Sequence, residues 1–335
     1  MKFTIGMVAN GAITQAVEWA KVVEDFGFDK LGYTEDMMYK SGWPSLFLAS
    51  QVTKRIKLGV TLSNPNTTHP AILATYAAML DEASNGRAFL CLGRGHLQVL
   101  KSQLNVVPEK PLTALREAVQ YCKRLWRKDP TPFEGEVFYG SSEAVFNFDP
   151  IRSEIPVLVG AWGPKAVRMS GAEADGVLAY GVWNNDYIRR MQQQVQAGAG
   201  EKGRNLQGFA IDVEPVFHIA EDGNEAKEKA REMLAMFINI LTPITDIIDP
   251  ELFGRICSAI ERQETEKAKS LISDELLDEF ALYGTPAQII EKIERKAAEV
   301  GLREMSFDMP FAPDDIDQYI QLLGRKVIPH FRKKE

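Results

Sequence analysis

The run Gly160-Ala161-Trp162-Gly163-Pro164-Lys165 carries the residue types that let a backbone close around an anion. Glycine has no Cβ, so Gly160 and Gly163 allow a ligand to approach the main chain closely. Pro164 suits the first position of a helix, where its missing N–H costs nothing. The free amides at such a helix start favour a negative group, a phosphate above all. Lys165 and Arg168 fall in the first turns of the same helix. Either could add a charge-assisted contact to an anionic tail, or both could be solvated surface residues.

Three further stretches combine polar groups with a position just after an apolar run. They are Thr34-Glu35-Asp36, Thr61-Leu62-Ser63-Asn64-Pro65 and Gly93-Arg94-Gly95-His96. The last invites comparison with a dinucleotide fingerprint, but position 98 is Gln where a third glycine would be needed, so that site is not expected. His69 precedes Pro70 and reads as a helix cap. His218 and His330 have no partner at metal-ligand spacing, and no metal site is expected. Asp212 and Glu214 share one face of a predicted strand, where one could line an interior.

What positions these groups is an alternation of short strand-like runs with amphipathic helical patterns, the mark of parallel βα units. Strands are predicted over residues 2–9, 30–35, 56–64, 88–93, 156–161, 176–181, 209–219 and 304–309. Eight such units imply a closed (β/α)8 TIM barrel, and all four chemistry-bearing stretches then fall at strand C-termini, where barrels keep their active sites. Residues 1–335 are expected to form one domain, with a helical insertion over 241–281, before the last strand. That segment either covers the barrel mouth or decorates its outside. Thr285, Pro286 and Gln288 have the form of a capping box, and Gly27 and Gly301 are expected to end helices.

Composition narrows the partners. A net charge of −7 with no long basic run argues against nucleic acid. No apolar run approaches the roughly 20 residues of a membrane span. Three widely spaced cysteines form neither a metal pair nor a disulfide framework, so a cytoplasmic protein acting on a small molecule is expected.

The combination of Leu58-Gly59-Val60-Thr61-Leu62-Ser63-Asn64-Pro65, His69-Pro70, the run from Leu80 to Arg87, Leu92-Gly93-Arg94-Gly95, and Gly160 to Lys165 followed by Ala174-Asp175-Gly176 resembles a known group. It is similar to the luciferase-like flavin and deazaflavin oxidoreductase superfamily, and within it to the branch using the deazaflavin coenzyme F420, typified by methylene-tetrahydromethanopterin reductase. The resemblance covers residues 1–180 and the tail from Tyr283; 241–281 carries no such signal.

That resemblance implies a barrel with the deazaflavin ring across its C-terminal mouth. The ring would rest on a bulge of strand three containing a non-prolyl cis peptide at Thr61–Leu62, with Ser63 and Asn64 beside it and Arg94 and Gly95 nearby. The cofactor phosphate would lie at Gly160, Ala161, Trp162, Gly163, Pro164 and Lys165. Trp162 would pack beside the cofactor or fill a core gap. Related enzymes often carry a carboxylic acid at the position of His96, which as histidine could donate a proton near neutral pH or simply hydrogen-bond a phosphate or loop carbonyl. Where the family commonly has Asp-His, this chain has Glu35-Asp36, a pair that would act near the ring or merely begin a capped loop. The expected reaction is hydride transfer between F420 and an organic substrate, in a homodimer. An FMN-dependent monooxygenase and a non-catalytic flavin-binding barrel are the alternatives.

Overall fold

The computed structural model describes residues 1–9, 11–35, 38–309 and 313–333, with no account of side chains at 242–246 and 313–315. Eight parallel strands close into a barrel: β1 (Lys2–Met7), β2 (Lys30–Tyr33), β3 (Lys57–Ser63), β4 (Ala88–Leu92), β5 (Val157–Gly160), β6 (Gly176–Tyr180), β7 (Ala210–Glu214) and β8 (Glu304–Asp308). β8 pairs with both β1 and β7, which closes the ring. The expected TIM barrel is therefore the observed one.

The seventh predicted strand, 209–219, is corrected by the structure. It breaks after Glu214, and a second short strand, Val216–Ile219, leaves the barrel to pair in parallel with Ala281–Gly284. Pro215 lies at the break, and a residue without an N–H cannot donate to a ladder. A two-stranded antiparallel hairpin pairs Phe133–Glu134 with Tyr139–Gly140 outside the barrel. The segment 241–281 is helical, with helices Pro250–Glu261, Thr265–Ser270 and Asp274–Phe280. Leu241 is buried, and its side chain lies against Gly181, immediately past β6.

Alternation along the strands sorts the residues into two environments. Leu90, Leu92, Val157, Val159, Val177 and Ala179 pack outward into the main core with the helices, while Phe89, Cys91, Leu158 and Leu178 form a separate cluster that Leu62 joins. The N-terminal end of the interior is closed by charge: Lys30 Nζ lies 2.7 Å from Glu304 and 3.6 Å from Asp212, all buried. Thr4 and Ser306 hydroxyls complete the shell of Asp212 at 3.1 and 2.8 Å. Burial by itself would raise the Glu304 pKa, yet Lys30 and Lys2 outweigh it and hold the carboxyl below its usual range.

Local punctuation follows the sequence. Thr285 and Gln288 form both bonds of a capping box, and Gly301 takes the left-handed conformation at φ 67° that ends this helix. Outside the barrel, the carboxylate of Glu24 collects the amides of Lys54, Arg55 and Ile56 at 2.7–3.0 Å. This latch fixes the turn that leads into β3.

Candidate active site

The C-terminal rim of the barrel is shaped by β3. Its register against β4 shifts between Val60 and Ser63, and the Thr61–Leu62 peptide is cis, as the resemblance implied. Both side chains of this bulge reach inward. Leu62 fills the space left by two glycines, since a Cβ on Gly160 would lie 2.2 Å from its Cδ2 and one on Gly93 2.8 Å from its Cδ1. Thr61 covers Gly32 of β2, whose Cβ would lie 2.3 Å from the threonine Oγ1. Three glycines on neighbouring strands thus make room for two bulge side chains.

The hydroxyls of Thr34 and Thr61 are buried and have no hydrogen-bond partner among the described residues. Unsatisfied buried polar atoms are rare in proteins, so a pair of them on adjacent strand ends marks a place where a bound molecule would supply the missing partners. Tyr33 has an orphaned hydroxyl too, but its Cβ faces the helix Gly42–Val52, on the outer side of the strand.

Beside this bulge the β4 end is tied to β3. Ser63 and Asn64 are buried; the Gly93 amide donates to the Ser63 carbonyl at 2.9 Å, and Asn64 Oδ1 accepts from the amides of Asn66 and Thr67 at 3.1 Å. Gly95 has φ 75° and packs on Asn64, where a side chain would be strained and crowded. Arg94 is exposed, and its carbonyl receives Asn66 Nδ2.

At β5 the expected turn and helix are present. Gly163 is the N-cap of helix Pro164–Glu173, with Pro164 in its first turn. Its φ of −64° is open to any residue, and a Cβ there would meet nothing within 4 Å. Neither conformation nor packing among the described residues requires glycine there. Lys165 is exposed beside this start, whereas Arg168 pairs with Glu201. Ala161 is buried. Trp162 donates its indole N–H to the Tyr180 carbonyl, and its own carbonyl accepts from Tyr187, so the ring is pinned across the ends of β5 and β6.

Two expected proton donors have structural duties. Glu35 Oε1 accepts from the Ser41 hydroxyl at 2.8 Å and the Gly42 amide at 2.5 Å, which fastens the loop after β2 to the next helix. His96 is exposed and is the N-cap of helix Leu97–Leu104, its Nδ1 accepting from the Val99 amide at 3.3 Å. That bond requires an unprotonated Nδ1, so a neutral ring holding the cap carries its proton on Nε2. Asp36 lies outside the described residues. His69 caps helix Pro70–Ala83 as expected. Among the described residues no cluster could hold a metal ion, and no helix is long and apolar enough to cross a membrane.

The structure adds titratable groups that the sequence barely signalled. Glu214 ends β7, Asp308 ends β8 and Tyr180 ends β6 opposite Glu214. Both carboxylates converge on Gly6 of β1: a Cβ there would lie 3.2 Å from Glu214 Oε1 and 4.0 Å from Asp308 Oδ1. Burial, then the negative charges of Asp308 and Asp212, push the Glu214 pKa far above the usual carboxylate range. The legible clue was Glu304-Met305-Ser306-Phe307-Asp308, a polar and apolar alternation that puts three polar residues on one strand face.

Comparison with known proteins agrees with this architecture. The profile of the luciferase-like monooxygenase family matches residues 2–304. The chain is 28% identical to the 5,10-methylenetetrahydromethanopterin reductase of Archaeoglobus fulgidus, covering 99% of this chain and 100% of that one. It is 24% identical to the F420-dependent glucose-6-phosphate dehydrogenase of Nakamurella multipartita, over 95% of this chain and 93% of that one. The solved coenzyme F420-dependent tetrahydromethanopterin reductase of Methanopyrus kandleri superimposes with a TM-score of 0.86 at 27% identity, covering 98% of this chain and 99% of that one.

Proposed function

Because the chain belongs to the luciferase-like monooxygenase family, we propose that it is a coenzyme F420-dependent oxidoreductase moving a hydride between the deazaflavin and a small organic substrate. A relative and a solved structure named as F420-dependent, matched over nearly the whole chain, support the cofactor. The observation that carries the reading is the bulge at Thr61–Leu62 with its orphaned threonine hydroxyl, next to a second at Thr34. A flat heteroaromatic ring with edge donors and acceptors is the kind of group that would satisfy such atoms.

Leu62 and Thr61 would support the ring face, with Ser63, Asn64 and Gly95 holding the bulge in shape. Gly163, Pro164 and Lys165 would receive the phosphate of the side arm, and Trp162 would flank it. The bound deazaflavin supplies two-electron hydride chemistry; the protein orients both reactants and excludes water. The substrate class is a carbon at the level of C=N, C=O or an alcohol, with a methylene-tetrahydromethanopterin-like reductase as the finer reading. Residues 1–335 are read as one domain in which 241–281 is an insertion whose start, at Leu241, flanks the mouth.

A homodimer fits the surface. Helices Gly42–Val52 and Pro70–Ala83 are apolar on most sides, and Leu48, Ile72, Tyr76 and Met79 stand 36–47% exposed. Sedimentation of the wild type as a dimer, and of Tyr76→Glu as a monomer, is the expected result.

The cofactor test is a titration of purified protein with coenzyme F420 and, separately, FMN. Saturable F420 binding that Gly163→Val weakens is expected. Tight FMN binding without F420 binding would favour the monooxygenase alternative, and silence toward both would overturn the reading.

A further inference from the structure

The carboxylate of Glu214, at the end of β7, has no structural duty among the described residues that accounts for it. Elsewhere in this barrel, buried charge is neutralised: Lys30 answers Asp212 and Glu304, and Glu24 answers three amides. Glu214 is different. It is 9% exposed, no hydrogen bond or ion pair among the described residues engages its carboxylate, and it extends over Gly6 toward Asp308. The titratable groups that face it are Asp308 on β8, Tyr180 on β6, Cys91 on β4 and Asp212 on its own strand. None of them is a cation. A full charge at Glu214 would therefore stand beside other acids with no cation among the described residues against it, a costly arrangement inside a protein.

Gly6 makes this arrangement possible. Any side chain at that position would lie 3.2 Å from Glu214 Oε1, so the glycine leaves the end of β1 open to a carboxylate from the opposite side of β8. The carboxyl also lies at the catalytic end of the barrel rather than at the charged plug below. Its strand ends on the rim that holds Thr61, Thr34 and Trp162.

We propose that Glu214 is the acid that protonates the substrate heteroatom during hydride transfer, with Asp308, which meets it over Gly6, as its positioning residue. This rests on the oxidoreductase reading above. In the reducing direction, the substrate carbon gains a hydride with its two electrons from a reduced deazaflavin, which is oxidised by two electrons. The C=N or C=O π pair shifts to the heteroatom and takes the Glu214 proton; a C–H and an N–H or O–H bond form. The electron pair of the broken carboxyl O–H bond stays on Glu214, which then recovers a proton from solvent. In the oxidising direction the carboxylate takes the proton back.

The upward direction of the Glu214 pKa, from burial and then the neighbouring acids, supports this role, because a raised carboxyl holds its proton more readily than an ordinary one. Negative charge on Asp308 disfavours ionisation of Glu214. Removing that charge should therefore make Glu214 more acidic and move the loss of activity to lower pH.

The first measurement needs no cofactor. Infrared difference spectra of the ligand-free protein across a pH titration should contain a protonated-carboxyl band at neutral pH that Glu214→Gln removes and that titrates at lower pH in Asp308→Asn. The second is steady-state kinetics with F420 and a reducible substrate. Glu214→Gln should bind F420 like the wild type while kcat falls by about 10²–10⁴-fold, the usual share of a general acid. Asp308→Asn should keep most of the rate at low pH and lose it earlier as pH rises. A wild-type spectrum without that band, or a Glu214→Gln enzyme with wild-type kcat and pH profile, would overturn the proposal. If the wild type fails to bind F420 at all, the oxidoreductase reading falls instead, and the infrared band still reports whether Glu214 is protonated.

Discussion

Gly160→Ala tests the packing that shapes the rim. The added methyl would lie 2.2 Å from Leu62 Cδ2, where an ordinary contact is at least 3.4 Å, so the leucine must retreat by about 1.2 Å, the difference between the two. Its other methyl lies over Gly93, where an added Cβ would come within 2.8 Å of Cδ1. The obstacle is a side chain rather than backbone, so the chain should fold, at a cost of about 1–3 kcal/mol for overpacking. Leu62→Ala alone removes a partly buried side chain and should cost about 2 kcal/mol, the low end for such truncations. Together the two changes relieve one another, and a coupling of about 0.5–3 kcal/mol is expected for residues in direct contact. Urea unfolding followed by tryptophan fluorescence gives the four stabilities of the cycle, and F420 titration of the same proteins reports the rim. Additivity within about 0.5 kcal/mol would refute the claim that Gly160 is glycine because of Leu62.

Other expectations follow from the same contacts. Lys30→Ala leaves Asp212 buried without its cation and Glu304 with Lys2 alone, and should cost about 3–5 kcal/mol in urea unfolding, far more than the exposed Lys128→Ala. Burial would raise the Glu24 pKa, but the amides of Ile56, Arg55 and Lys54 hold it below its ordinary value of 4.5. Its stabilisation is therefore complete above that value and disappears as pH falls through the lower folded value, a dependence that Glu24→Gln should remove from acid-unfolding curves. Glu35→Ala should lose about 1–2 kcal/mol with the cap on the Gly42 helix, and Glu35→Gln less, since one acceptor oxygen remains. His96→Asn replaces one capping side chain by a preferred one, so thermal stability should hold within about 0.5 kcal/mol. A turnover drop of 100-fold or more in that variant would assign the proton to His96 rather than to Glu214.

Some of the site was legible as local chemistry. Gly163-Pro164 announced a helix start, and Thr285 with Gln288 a capping box, because these signals act within four residues and depend little on the rest of the fold. The eight-strand barrel was legible for a related reason, since repeated βα units admit few closed arrangements. Even the break in the seventh strand had a local cause at Pro215, which a strict reading of strand interiors would have used.

Roles that depend on partners far away in sequence were hidden. Glu35 and His96 had the right residue types for proton transfer, yet their oxygen and nitrogen are occupied by amides and hydroxyls of the helices they cap. Gly160 looked like a ligand-facing position; the fold shows that Gly32, Gly93 and Gly160 yield space to Thr61 and Leu62. Glu214 and Asp308 are separated by more than ninety residues and meet over Gly6, which is further still. The sequence by itself determined the elements, their order and the closed barrel, since these follow from periodicity and short-range capping. Only the tertiary structure decided which polar groups are satisfied and which are left facing the mouth, because hydrogen bonding and burial of charge depend on neighbours that barrel closure alone brings together.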